Sequence, residues 1–146
     1  MKKGVDYIGV TCVFFCHDGQ GKFLLHKRSG KCRDEVGNWD CGGGALEFGE
    51  DFETAVRREI KEEYCTDVVE LKFLTVTNVL RKNGDENTHW IALIFAAQVI
   101  PEQVKIGEPD AMEEIGWFSK NNFLAPLHSQ FHRHFDYVRR AGLTEL

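Results

Sequence analysis

The segment Arg58-Glu59-Ile60-Lys61-Glu62-Glu63 sets three carboxylates at spacings i, i+3 and i+4. On a helical wheel of about 100° per residue, Glu59, Glu62 and Glu63 fall within an arc of roughly 100°. That arc flanks an apolar stripe made by Phe52, Val56 and Ile60. Like charges so placed repel by a few tenths of a kcal/mol on an exposed helix, and by more where a core excludes solvent on one side. A cation reverses the sign of that interaction. Hard divalent ions such as Mg2+ take oxygen ligands and combine a few carboxylates with the phosphate oxygens of a substrate, which is the chemistry this edge offers. The plain alternative is a solvated acidic face on a surface helix.

The elements that would position these groups are legible as apolar runs. "YIGVTCVFFC" and "KFLLHKR" are separated by "HDGQG", so residues 7–16 and 22–28 read as a hairpin. "LKFLTVTNVLRK" and "HWIALIFAAQVI" flank the polar turn "NGDENT" and read as long strands, with "EIGWFS" as a short one. Helical period appears at Phe52, Val56 and Ile60, and again at Leu127, Phe131, Phe135 and Val138. Strands enclosing one helix, with a second helix at the end, predict an α+β fold: a mixed sheet with helices on its faces.

A chain of 146 residues, 42% of them hydrophobic, suits a single domain over 1–146 with a real core and is short for two. With a net charge of −5, it lacks the basic footprint with which proteins displace counterions from a nucleic-acid polymer, so a polyanionic substrate would need a cation. Cys12, Cys16, Cys32, Cys41 and Cys65 include no CxxC pair, and no signal-peptide pattern opens the chain, so reduced thiols in the cytoplasm are the expectation. The longest apolar runs fall well short of the ~20 residues a helix needs to cross a bilayer, so no membrane partner is expected.

The spacing Gly44, five residues, Glu50, seven residues, then Arg58 through Glu63 resembles the signature of the Nudix hydrolases: G, five, E, seven, REUxEExGU, with U aliphatic. Cys65 and Thr66 stand where that pattern has glycine and an aliphatic residue, which puts the usual left-handed helix end in question. "NWDCGGG" is similar to the family's W-x-x-P-G-G lead-in, "FLLHKR" to its second strand, and "EEIGWFSKNNF" to its closing strand and helix. The resemblance therefore covers nearly the whole chain and implies the Nudix α/β/α sandwich.

It also implies roles. Glu59, Glu62 and Glu63 would hold Mg2+ or Mn2+, one of them also taking a proton from the attacking water, with the Gly43 carbonyl as a further ligand. Gly43 and Gly44 would let backbone approach metal and phosphate. Arg58 and Glu50 look like a structural ion pair, whereas Glu47 either approaches the metal or faces water. Arg28 resembles a strand arginine that contacts substrate phosphate in some members, with a surface salt bridge as the alternative. Glu108, Glu113 and Glu114 are candidates for an additional base or ligand from a late loop. The implied reaction is hydrolysis of a nucleoside diphosphate linked to another group by water attacking phosphorus. "GGALEFGE", the strand pair around "TVTNVLRKNGDENTHW" and a short N-terminal lead resemble the small nucleoside triphosphate pyrophosphatases of the MutT type. Enzymes for ADP-ribose or a nucleotide sugar are the second reading, and an inactive nucleotide-sensing module the third. The partner expected is a small nucleotide; a homodimer is compatible.

Other features weigh less. His128, His132 and His134 are expected on an exposed polar face of the last helix, because no HExxH pattern or nearby thiolate supports zinc binding by His128 and His132. Cys12 and Cys16 share one face of a strand and read as core. Phe48, Trp90 and Trp117 are aromatics able to stack on a base, and Trp90, beside His89 at the start of a long strand, is the preferred one.

Overall fold

The computed structural model describes residues 1–145; Leu146, the last residue of the expected domain, lies outside them. Strand β1 (Gly9–His17) is apolar on both faces because both are covered. Cys12, Phe14 and Cys16 point into one core with helix α1 (Phe52–Tyr64), and Phe15 points into another with helix α2 (Phe131–Arg140). On the α1 side Val56, Ile60 and Tyr64 are fully buried, as are Phe131, Phe135 and Val138 on the α2 side. Each such side chain contributes about 1.5–3 kcal/mol by leaving water. The result is an α/β/α sandwich.

Between the helices runs one mixed sheet in the order β3 (Trp39–Asp40), β2 (Phe23–Arg28), β1, β6 (Glu86–Val99), β5 (Val68–Asn83). Strands β1 and β6 are parallel, and β5 and β6 form the expected long hairpin, turning at Gly84 with φ 63°. Strand β7 (Met112–Phe118) lies antiparallel to β2. The expected first hairpin is real but brief, because β1 pairs with β2 only through Cys16↔Leu24 and His17↔Phe23. Further back, β1 pairs instead with β4 (Gly42–Ala45), from Thr11↔Ala45 to Phe14↔Gly42. The sheet thus forks at the middle of β1, with Asp40 to Gly42 crossing from one branch to the other.

Helix α1 starts at Asp51, whose carboxylate accepts from the N–H groups of Glu53 and Thr54. It ends in the left-handed turn that the sequence put in question: Cys65 adopts φ 62° and donates its N–H to the Lys61 carbonyl. Thr66, fully buried in place of an aliphatic residue, is accommodated because its hydroxyl oxygen accepts from the Ile100 N–H at 3.1 Å and its O–H donates to the Asp67 carbonyl at 2.8 Å. The terminal helix begins later than the apolar stripe suggested. Leu127 and His128 lie in the preceding loop, where His128 donates its backbone N–H to the Trp39 carbonyl.

Candidate active site

Strand β4 and helix α1 meet at the fork of the sheet. Three successive glycines occupy β4, residues that sequence propensity places in loops. The first two explain themselves: a Cβ at Gly42 would collide with the Phe14 ring, and one at Gly43 would stand 3.0 Å from the Cys12 carbonyl oxygen. A Cβ at Gly44 would strike the Glu59 carboxylate. Glu59 therefore lies directly against β4 backbone.

The three glutamates differ in environment. The Glu62 side chain is half exposed, Glu59 is mostly covered, and Glu63 is buried. Burial, then Glu59 and Glu108, push the Glu63 carboxyl well above its ordinary range, while the Gly43 N–H pulls the other way. Burial also raises Glu59; Arg58 opposes that, and Glu62 and Glu108 add to it. Glu63 Oε2 is buried and has no hydrogen-bond partner. Such an orphan costs about 1–3 kcal/mol, and more when charged.

Arg58 organises the outer edge. Its Nε lies 2.7 Å from Glu50 Oε2 and its Nη2 3.0 Å from Glu50 Oε1, a bidentate pair tying the loop before α1 to the helix. Its Nη1 reaches Glu59 at 3.1 Å and Glu62 at 3.3 Å. Glu47 faces water and stands 3.9 Å from Arg58.

Of the late acidic residues, Glu108 alone joins this group; Glu113 pairs with Lys27 on the surface and Glu114 is exposed on β7. The placement of Glu108 follows from helix capping. The last carbonyls of α1 need donors, and the incoming loop supplies them: Lys105 N–H to Tyr64 at 3.1 Å and Gly107 N–H to Glu63 at 2.8 Å. A side chain at Gly107 would collide with the Glu62 carbonyl, so glycine allows the approach.

Glu63, Gly43, Gly44 and Glu108 line a cleft of about 610 Å3 that continues along the sheet to Arg28 and Trp90. Arg28 is held by Asp34 at 2.9 Å, and Arg81 contacts Asp34 at 3.4 Å and Glu35 at 2.8 Å. The Trp90 indole fills the space that side chains at Gly4 or Gly9 would need, so the N-terminal turn packs against it. Phe48 is fully exposed and Trp117 packs in the α1 core, so neither lies on this cleft.

Several cleft residues had no sequence signal. Asp40 is raised by burial despite His128 and the Cys41 N–H, and it adds to the negative field on Glu63. His26 Nδ1 is 2.6 Å from the Tyr64 hydroxyl. Behind the cleft wall, Glu35 gathers Ser129 N–H at 2.7 Å and the cleft residues His128, through Nε2 at 2.8 Å, and Arg81. Burial raises the Glu35 carboxyl, but these partners outweigh it and leave it below its ordinary value. His134 corrects the expectation of an exposed face: it is 5% exposed and lines the cleft, since α2 turns it toward the sheet.

A divalent cation suits this donor set. The available groups are hard oxygens, two of the carboxyls are raised by burial first and by their acidic neighbours after it, and one buried oxygen lacks a partner. Among the described residues no three acidic, histidine or cysteine side chains are already gathered as a cage, because Arg58 draws Glu59 and Glu62 to itself. Among the same residues no helix is long and apolar enough to cross a membrane.

The sequence matches the family model of the NUDIX domain over residues 7–137. Among solved structures, the MutT NUDIX hydrolase from Burkholderia pseudomallei superposes with a TM-score of 0.80 at 28% identity, covering 91% of this chain and 99% of that one. The MutT protein from Methanosarcina mazei Go1 gives 0.75 at 25% identity, covering 92% and 95%. The NUDIX domain of Shewanella oneidensis NrtR, solved with ADP ribose, shares the fold at 19% identity with a TM-score of 0.72, covering 97% and 90%.

Proposed function

The chain belongs to the NUDIX family, and from that premise we propose that it hydrolyses a nucleoside triphosphate to the monophosphate and pyrophosphate with Mg2+ or Mn2+ bound. That it is a Nudix pyrophosphohydrolase of nucleoside diphosphate derivatives follows from the family match and the MutT neighbours. The observation that carries the site assignment is the buried, partnerless Glu63 oxygen beside the Glu59–Gly44 contact, an arrangement that is unfavourable until something positive enters.

In this reading Glu59, Glu62, Glu63 and the Gly43 carbonyl hold the ion. Once bound it lowers the pKa of water and offsets charge on phosphate oxygens. A glutamate of the cluster takes the proton from the attacking water, with Glu108 placed to share that task. Gly43 and Gly44 admit the phosphate chain close to backbone. Arg28, released from Asp34, meets a phosphate oxygen, and Trp90 forms part of the base pocket. Arg58 keeps the glutamates in place through Glu50.

The triphosphate preference over ADP-ribose or a nucleotide sugar rests on the resemblance of "GGALEFGE" and the β5–β6 hairpin to small MutT-type enzymes. A panel of triphosphates, with ADP-ribose and a nucleotide sugar alongside, tests it by chromatography of products. Monophosphate plus pyrophosphate is expected. Diphosphate plus orthophosphate would refute the chemistry, and cleavage of ADP-ribose or the sugar alone would move the chain to that substrate class.

A further inference from the structure

Two buried side-chain polar atoms have no hydrogen-bond partner among the described residues: Glu63 Oε2 and His134 Nε2. Both residues line the same cleft, Glu63 from α1 on one side of the sheet and His134 from α2 on the other. The first is accounted for by the cation site. The second has no part in that chemistry, yet the same physical reasoning applies to it. A helix face can bury an aliphatic residue at no polar cost, so an imidazole nitrogen left without a partner there marks a group that awaits one.

The surroundings say what kind. Val13, Val79 and Trp90 line the same cleft and belong to the core on the α2 side, giving that side an apolar lining suited to a heteroaromatic ring. A ring lying on that lining keeps its polar edge in the plane, and one directed hydrogen bond at the edge is what distinguishes one heterocycle from another. His134 is neutral near pH 7, because burial, with Arg133 and His128, brings it down to about 4. A neutral imidazole offers one donor and one acceptor, so according to tautomer Nε2 can donate to a base carbonyl or accept from a base N–H.

Resting on the reading of the substrate as a nucleotide, we propose that His134 is a specificity-determining residue whose Nε2 hydrogen-bonds the edge of the nucleobase. The carboxylate end of the cleft takes the phosphates, common to every nucleotide, and the His134 end distinguishes the base.

Titration calorimetry with the four nucleoside monophosphates and with base-free ribose 5-phosphate, in Mg2+, tests this without depending on hydrolysis. Wild type is expected to prefer at least one base. His134→Phe should lose about 10-fold in affinity for the preferred nucleotide, the scale of one directed hydrogen bond, and His134→Gln should retain most of it. Ribose 5-phosphate should bind all three proteins alike, and the melting temperature of His134→Phe should not fall, since the orphan nitrogen is gone. A His134→Phe variant with the wild-type base preference overturns the proposal. So does a variant that loses ribose 5-phosphate to the same extent, or a wild type that binds no nucleotide better than the sugar phosphate. Base-dependent binding through His134 in a protein that hydrolyses no triphosphate would leave this inference standing and remove the proposed reaction instead.

Discussion

Glu59 occupies the space that a side chain at Gly44 would need, so a methyl group there would collide with the Glu59 carboxylate. The colliding atoms are the far end of a flexible side chain, which can swing aside. Gly44→Ala should therefore cost little stability, within about 1 kcal/mol, since alanine also lowers the entropy of the unfolded chain. Its expected effect is on turnover, lowered by about 10²-fold as Glu59 leaves its place. Paired kinetics and thermal melts check this; a variant that unfolds, or one of normal activity, would contradict it.

Neutralising the carboxylates separates function from folding in the same way. Glu59→Gln and Glu63→Gln should each lower kcat by at least about 10²-fold. Both carboxyls are raised first by burial, and each adds to the repulsion on this edge, so removing either charge should leave stability unchanged or increase it. Near-normal rates in both variants would remove the assignment, and a large loss of melting temperature would show the charges to be structural.

The sequence displayed what depends on local spacing. The periodicity of Phe52, Val56 and Ile60 placed α1, and the Arg58–Glu50 pair was legible because both residues belong to one short motif. What it hid is nonlocal. Glycine has poor strand propensity, so β4 gave no strand signal and is strand only because β1 pairs with it. The sequence offered Glu108, Glu113 and Glu114 alike, and could not show that Glu108 is the one that reaches the site, because Gly107 caps a helix end more than 40 positions earlier in the chain. His134 and Asp40 acquire their environments from the far side of the sheet and from the fork, and a polar residue carries no sequence mark of such burial.

The helix end offers a stability prediction. Cys65 holds φ 62°, a conformation that costs a non-glycine residue about 1 kcal/mol. Cys65→Gly should therefore raise stability by about 0.5–1 kcal/mol, measured by urea unfolding, with turnover unchanged. A decrease would mean that packing of the thiol near Gly107, whose added Cβ would lie 3.1 Å from Cys65 Sγ, outweighs the backbone strain.

Acid should destabilise the protein through two histidines. Burial, with Arg28 and His128 for His26 and with Arg133 and His128 for His134, lowers each from 6.5 to about 4. Between those values the unfolded chain binds a proton that the folded chain refuses, so stability is full above about 6.5 and falls as pH drops toward 4, by up to about 3 kcal/mol per histidine. Glu63, raised in the fold, works in the opposite direction and favours the folded state in acid. The informative quantity is therefore the drop in unfolding free energy from pH 7.5 to 4.5, compared between wild type and His26→Gln or His134→Gln. Each variant should show a smaller drop; equal drops would place the acid sensitivity elsewhere.

Metal dependence is the most direct consequence of the Glu59–Glu62–Glu63 edge. Excess chelator should abolish turnover, and Mg2+ or Mn2+ should restore it. Binding should also be visible without catalysis, because a ligand held only by the folded state stabilises it by about 2.7 kcal/mol at a concentration 100 times its dissociation constant. Wild type should therefore melt higher with added Mg2+, while Glu63→Gln, which loses the charge beside the partnerless oxygen, should show a much smaller rise. The two readouts divide the outcomes. Undiminished turnover in chelator would sink the carboxylate–metal reading of the reaction. An equal Mg2+ stabilisation of wild type and Glu63→Gln, with turnover still metal-dependent, would move the ion away from Glu63 toward the more exposed Glu59 and Glu62.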